Sequence, residues 1–449
     1  MDQASRPDPL QRHLSHFAAP RGPSLIDRLG PHADWVEARI AAGTWPYARR
    51  LHTGADPVAG IAYAGQTAVN GVNLAVQDYL GLATHPHIKE AARRAIFEYG
   101  VHSAGSAMQA GNHPLSERLE RAVAGLVRMP HVLLFPTGWG AGYGAVRGLV
   151  RDYDHIVLDE AVHTCLLEGA AAATGNIHRF GHLDSDHARR ILADIRTGDR
   201  ANGILLITEG LFSVDSEPAD LRALRQACDA FGASLMVSVA HDLGCSGPGG
   251  TGEIGLQGLM GQADIVVGSF AKTFASNGGF VATADRRVKR YLQGFAGTHG
   301  YSNALSPVQC ATVEKAIEIV ASTAGAQRRD QLQARSRYFR KRLQADGLTV
   351  LGTPSAIVPV MLGDEAAARR ASKALAASGT FAHLVEFPVV AVGAARFRCQ
   401  LMSRHEETHL DKAVQDIAAA VAQAGGERTA GPGGAVRCAE GAAMSCTAL

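Results

Sequence analysis

Lys272 lies in the stretch Gly268-Ser269-Phe270-Ala271-Lys272-Thr273-Phe274-Ala275-Ser276-Asn277-Gly278-Gly279, directly after the apolar run Ala263-Asp264-Ile265-Val266-Val267. A lysine at the end of a buried strand, among small residues and hydroxyls, is poorly solvated. Desolvation favours the neutral amine, and only the neutral amine attacks an aldehyde. Small neighbours leave room for a flat ring, and the Ser269 hydroxyl can donate to a phosphate. These are the features of a lysine that holds pyridoxal 5′-phosphate (PLP) through a Schiff base. An isolated lysine at a strand end more often snorkels its amine to water, so the rest of the chain has to decide.

Other residues make sense around the same ring. Gly138 and Trp139 follow the strand-like run Val132-Leu133-Leu134-Phe135 and open a helix, where backbone N–H groups and the helix dipole suit a phosphate dianion. His163, in Asp159-Glu160-Ala161-Val162-His163, can lie flat against a ring face. His241 stands two residues beyond the strand-like Leu235 to Val239 and can bond a phenolic oxygen, and Ser213 follows Glu209-Gly210-Leu211-Phe212. Each alone reads more readily as a buried histidine with a backbone partner or a capping serine. Their order along the chain carries the argument.

The elements that must position them alternate. Helical spacing over Leu115 to Val127, with Asn112-His113-Pro114 as its start, precedes the Val132 strand. Further strand-like runs are His155 to Leu158, Ile204 to Thr208, Ser234 to Val239 and Ile265 to Gly268, with helical stretches such as Leu221 to Phe231 between them. Such alternation predicts an α/β fold with a mainly parallel sheet covered on both faces, whose ligands sit at the carboxyl ends of the strands. Thr137, Glu160, His163, Ser213, His241 and Lys272 all follow such strands. We expect an N-terminal segment over 1–70 with a short helix around Trp35 to Ala42, and a large domain over 71–306. A smaller C-terminal domain is expected over 307–424, entered by a helix from Pro307 and holding strands at Val350 to Leu362 and Arg396 to Leu401, before a disordered tail over 425–449.

Composition bounds the classes. A chain of 449 residues with 46% hydrophobic and 19% charged residues is an ordinary enzyme-like composition. A net charge of +2 gives no reason to expect nucleic acid. Apolar runs are too short for a membrane span and no signal peptide is apparent, so a cytoplasmic location is expected. The seven cysteines form no CxxC pair, which points to free thiols and no metal site. Gly250-Thr251-Gly252-Glu253-Ile254-Gly255 fits G-x-G-x-x-G, but it lies within a glycine-rich loop rather than at a strand-to-helix turn, so a dinucleotide site is not expected.

Taken in order, Gln77-Asp78-Tyr79-Leu80-Gly81-Leu82, Thr137-Gly138-Trp139, Asp159 to His163, Glu209 to Asp215, Ala240-His241, the Lys272 segment, Tyr301 to Pro307 and Arg396-Phe397-Arg398 make the chain resemble the α-oxoamine synthase family. These are PLP enzymes of fold type I, the aspartate aminotransferase-like fold with a smaller C-terminal α+β lobe. The family joins an amino acid to an acyl-CoA or acyl-carrier-protein thioester with loss of carbon dioxide. The wording around His163 and Lys272 is most similar to its α-hydroxyketone autoinducer synthase branch. The resemblance implies that Lys272 carries the cofactor and moves the α-proton, that His163 stacks on the ring, and that His241 bonds the phenolic oxygen and helps polarise the thioester carbonyl. It implies cofactor contacts from Ser213, Ser238 and Ser269, and N–H groups from Gly138 and Trp139 near the phosphate. Arg398 would grip the amino-acid carboxylate, its planar fork suiting bidentate capture. Ser302 and Asn303 would reach the phosphate of the partner subunit in a homodimer with shared active sites.

The pattern breaks at one place that matters chemically. The family has an acid three positions before the histidine, which pairs with the pyridine nitrogen, whereas this chain reads Val237-Ser238-Val239-Ala240-His241. A charge-assisted bond is roughly twice as strong as a neutral one, and each ~1.4 kcal/mol lost from carbanion stabilisation slows that step about tenfold. Ala107 and Val389 also depart from residues often found near the substrate. Three readings follow: the condensing acyltransferase; a PLP enzyme with altered chemistry such as elimination, replacement, retro-aldol cleavage or oxidation; and a non-catalytic subunit derived from the family.

Overall fold

The computed structural model describes residues 8–62 and 67–425. Its contacts divide the chain into two units, one of residues up to Val76 together with those from Ala334 onward, the other Gln77–Gln333. The second unit is built on a seven-stranded sheet in the order His131–Phe135, Gly279–Thr283, Ile265–Ser269, Ser234–Ser238, Ile204–Glu209, His155–Asp159 and Ile177–Phe180. The last five run parallel to one another, while Gly279–Thr283 is antiparallel to both of its neighbours. Ile156, Leu158, Leu206, Ile207, Met236 and Val237 are buried almost completely, as strands covered on both faces require. All five expected strands of this sheet are present. Gly279–Thr283 and the edge strand Ile177–Phe180 were not foreseen.

The helices of this unit lie unusually close. Gly138–Leu149 and Thr164–Ala173 approach so tightly that a Cβ on Gly142 would sit 2.7 Å from Cys165 Sγ. Pro307–Ala321 packs against Pro86–Tyr99 and Pro114–Val127. That packing is why residues 307–333 group with this unit rather than with the C-terminal domain expected from residue 307.

The other unit contains a six-stranded sheet in the order Arg50–Leu51, Val58–Ala62, Val69–Leu74, Thr380–Val385, Ala395–Gln400 and Ile357–Gly363. Val69–Leu74 pairs in parallel with Thr380–Val385, so the N-terminal residues share a sheet with the C-terminal ones instead of forming a segment of their own. The strand expected from Val350 begins only at Ile357, since Gly352-Thr353-Pro354 interrupts it and Val350 contributes a single bridge to Val360. Helix Gly30–Ala41 carries the fully buried Arg39, whose Nη1 lies 3.2 Å from Glu386 Oε1. Arg369, also fully buried, places Nη2 2.6 Å from Glu386 Oε2, and Tyr47 donates to Glu386 Oε1 at 2.8 Å. Arg369 also donates to the carbonyl of Arg12 at 2.6 Å, so one carboxylate and two guanidiniums tie the chain start to this sheet. The expected tail lies, beyond Gly425, outside the described residues, as do Cys438 and Cys446. The five described cysteines are free thiols. Among the described residues no helix is long and apolar enough to cross a membrane, and no cluster of metal-ligating side chains occurs.

Candidate active site

Lys272 owes its place to the antiparallel strand. Ser269 pairs with Gly279, and Phe270 N–H donates to Gly278 C=O at 2.9 Å, so residues 270–278 form a closed loop between adjacent strands. Phe270 and Phe274 are buried beneath it. Gly278 adopts φ +113°, where a side chain would be strained, and a Cβ there would meet Leu305 at 2.8 Å. Lys272 itself is half-buried, and its charge acts on Glu209 at a neighbouring strand end and on Cys165 in the first turn of helix Thr164–Ala173.

The start of helix Gly138–Leu149 faces this loop. Thr137 caps it, its Oγ1 accepting from Gly140 N–H at 2.9 Å, while the N–H groups of Gly138 and Trp139 point out of the first turn without acceptors inside the helix. A Cβ on Gly138 would lie 2.5 Å from both Cβ and Oγ of Ser269, and a Cβ on Gly279 would lie 2.7 Å from Gly138 Cα. Glycine is therefore what lets the helix terminus and Ser269 share one cradle. The Thr298 hydroxyl donates to Gly140 C=O at 2.6 Å and braces the same turn.

The histidines close two further sides. The Trp139 and His163 rings meet edge-on with centroids 5.9 Å apart. His163 N–H donates to Glu209 Oε1 at 2.6 Å, and its Nδ1 accepts from Cys165 N–H at 3.2 Å, which fixes the ring at the start of helix Thr164–Ala173. Burial pushes the Cys165 thiol up to about 12, so it stays protonated. His241 lies within hydrogen-bond distance of Tyr79, Nδ1 to hydroxyl 2.9 Å, and both are buried. Ser238 ends its strand 7% exposed, paired in register with Glu209 on one side and Val267 on the other. Ser213 is half-buried just past the short strand Leu211–Phe212, and Gly210 N–H donates to Ser238 C=O at 2.8 Å.

Three buried carboxylates surround this floor. Burial drives Glu209 up to about 7, opposed by the His163 N–H bond and the Lys272 charge. Burial likewise drives Asp242 up to about 7, opposed by a Glu253 N–H bond of 2.7 Å to its Oδ2. Asp242 occupies space left by two glycines, since a Cβ on Gly210 or Gly252 would come within 2.7 or 2.5 Å of its Oδ2. This is the structural role of a glycine in the G-x-G-x-x-G stretch, which forms a short turn and helix Gly252–Leu256 rather than a nucleotide loop. Asp159 accepts from Ala161 and Leu183 N–H and lies 2.8 Å from His182 Nδ1, whose Nε2 is 3.2 Å from Glu217. Burial pulls His182 down, but these two carboxylates outweigh it and lift the imidazole to about 10.

The structure thus brings Gly138, Trp139, His163, Ser213, Ser238, His241, Ser269 and Lys272 to one end of one sheet. Ser302 and Asn303 contact a different segment: Asn303 forms a bridge with Ser106, and its Nδ2 lies 3.2 Å from His102 Nε2. Arg398 belongs to the other unit, on Ala395–Gln400, in register with Pro359 and His383. Burial and the charges of Arg398 and Arg49 hold His383 down at about 4, so it is neutral beside them. Sequence reasoning gave no role to Glu209, Asp242 or Tyr79. Glu209 had a signal of the same kind as Lys272, a charged residue ending a run as apolar as Ile204 to Ile207. The contact of Tyr79 with His241 spans 162 positions and leaves no local trace.

An amine on a closed loop, a glycine cradle, outward helix-terminal N–H groups and two histidines fit the aldehyde, phosphate and ring of PLP, with Ser238 as the neutral exception. The family model for class I and II aminotransferases matches residues 69–417. An 8-amino-7-oxononanoate synthase of Geotalea daltonii is 34% identical over 345 residues, 77% of this chain and 87% of that one. One from Geobacter metallireducens is 34% identical over 375 residues, covering 83% and 95%. Among solved structures, a serine palmitoyltransferase from S. paucimobilis shares the fold with a TM-score of 0.83 at 24% identity, covering 90% of this chain and 99% of its own. Aligned with such relatives over most of its length, this chain belongs to the class I and II aminotransferase family and, within it, to the PLP-dependent α-oxoamine synthases.

Proposed function

We propose that this protein condenses an amino acid with an acyl thioester, carried by coenzyme A or a carrier protein, and releases carbon dioxide to leave an α-aminoketone. The observation that supports it best is the Lys272 loop seated beside the Gly138 cradle, with His163 and His241 at the same strand ends. When bound, PLP supplies an electron sink for the α-carbon of the amino acid. Lys272 Nζ holds the cofactor and then takes and returns the α-proton. Gly138 and Trp139 N–H groups and the Ser269 hydroxyl bind the phosphate, and Ser213 and Ser238 line the ring. His163 would lie against the ring face. His241, oriented through Nδ1 by Tyr79, hydrogen-bonds the phenolic oxygen and polarises the thioester carbonyl. Arg398 takes the carboxylate in bidentate fashion. In a homodimer, Ser302 and Asn303 would serve the partner subunit's phosphate. The 92% exposure of Tyr301, with Met108 and Val101 also exposed, supports self-association there.

The test is a visible absorbance titration of PLP-loaded protein with single amino acids, followed by an acyl thioester and a thiol assay. An amino-acid-selective spectral change, with thiol release only after the thioester is added, supports condensation. Product from amino acid alone supports altered chemistry, a reading favoured by Ser238 standing where the family has an acid. No cofactor band at all would sink both.

A further inference from the structure

We propose that Glu209 supplies the anion that Ser238 does not, acting as the long-range charge partner of the PLP ring nitrogen. The inference rests on the proposed function, in which Ser238 faces that nitrogen. Glu209 and Ser238 are register partners on adjacent parallel strands, so their side chains leave the same face of the sheet. Both are buried, and Val267, the register partner on the other side of Ser238, carries no charge. The other two buried carboxylates of this floor are held away from the register position of Ser238, although among the described residues Asp242 Oδ1 has no hydrogen-bond partner. Leu158 pairs with Ile207, so Asp159, one residue on, aligns with Thr208 and leaves the opposite face, where it accepts from Leu183 N–H and contacts His182. Asp242 is wedged between Gly210 and Gly252 and accepts from Glu253 N–H. Glu209 uses Oε1 to hold His163 N–H, the residue proposed to stack on the ring, so its carboxylate lies beside the ring's binding place.

In a region of low dielectric a charge acts across a neutral neighbour with little screening. A buried carboxylate that burial has raised to about 7 gains most from a nearby cation, and a protonated pyridine is such a cation. Glu209 and the ring nitrogen would then each favour the charged form of the other.

The experiment measures PLP dissociation constants for the full chain, E209Q, S238D and the double variant. Glutamine keeps the acceptor for His163 N–H and removes only the charge. The expected result is a tenfold or greater weakening by E209Q in the parent chain, shrinking at least threefold in the S238D background, where the ring nitrogen has its own acid. Equal weakening in both backgrounds, or none in the parent, overturns the proposal. Should E209Q fail to fold, holoenzyme loaded with PLP labelled with 15N at the ring decides alone: a protonated ring nitrogen at pH 7 is expected, and an unprotonated one overturns it. Borohydride trapping with mass spectrometry is run first. Label on Lys272 shows the underlying reading to be intact, so that a flat mutant cycle then condemns Glu209 only; label elsewhere overturns both.

Discussion

Replacing Gly138 by alanine tests whether the cradle between helix and lysine loop is as tight as its geometry requires. The added methyl would sit 2.5 Å from both Cβ and Oγ of Ser269. Carbon atoms rest about 3.5–4.0 Å apart, so the helix start and the strand end must separate by about 1 Å. The same turn also packs closely on Gly279, whose own Cβ would meet Gly138 Cα at 2.7 Å. Overpacking of this kind costs about 1–3 kcal/mol, a fall in Tm of roughly 2–12 °C for a large domain. Thermal melts of unloaded protein read this directly, and PLP titration reads the displaced N–H groups. S269G removes both offending atoms, after which the nearest named atom is the Cα of residue 269 at 3.2 Å, so G138A/S269G should regain at least half of the lost Tm while keeping weak PLP binding. A G138A melt within about 1 °C of the parent, or a double variant no better than the single, would refute the clash and the cradle with it.

Lys272→Ala should abolish the visible band of bound PLP without changing the far-ultraviolet circular dichroism; a surviving band would remove Lys272 from its role. His182 is lifted from 6.5 to about 10, so its contribution is complete below pH 6.5 and is lost as pH rises towards 10. The stability gap between the parent and H182Q should narrow over that range, and a gap independent of pH would contradict the Asp159–His182–Glu217 assignment. Arg369→Met breaks a fully buried pair and should cost about 3–5 kcal/mol in denaturant unfolding, whereas breaking a surface pair such as Arg93–Glu90 should leave the unfolding midpoint nearly unchanged.

The α/β class, five of the seven strands of the large sheet and the group around Lys272 were legible because each rests on a local signal: an apolar run of strand length ending in a residue that can do chemistry. Gly279–Thr283 was not legible, since a short run after two glycines reads as loop and one of its two partners, His131–Phe135, lies far away in the chain. Ile177–Phe180 was hidden by His178 and Arg179, polar residues that an edge strand tolerates. The burial of Arg39 and Arg369 around Glu386 joins positions 347 and 17 residues apart, and charged residues in a helical pattern ordinarily mark a solvated face. The carboxylates Glu209 and Asp242 were visible as letters, but their environment is a product of tertiary packing.

The closed loop of residues 270–278 gives Lys272 a peculiar independence. Every parallel strand pair in its sheet is joined through a crossover, so those neighbours are assembled from distant sequence. The lysine, by contrast, rides on a hairpin formed within Ile265–Thr283, whose closure is short in contour length and fast on the scale of folding. A circular permutant cut in a surface connection elsewhere would carry this hairpin over whole. The reactive amine would then keep its turn and its two flanking strands even where the order of the surrounding chain had been rewritten.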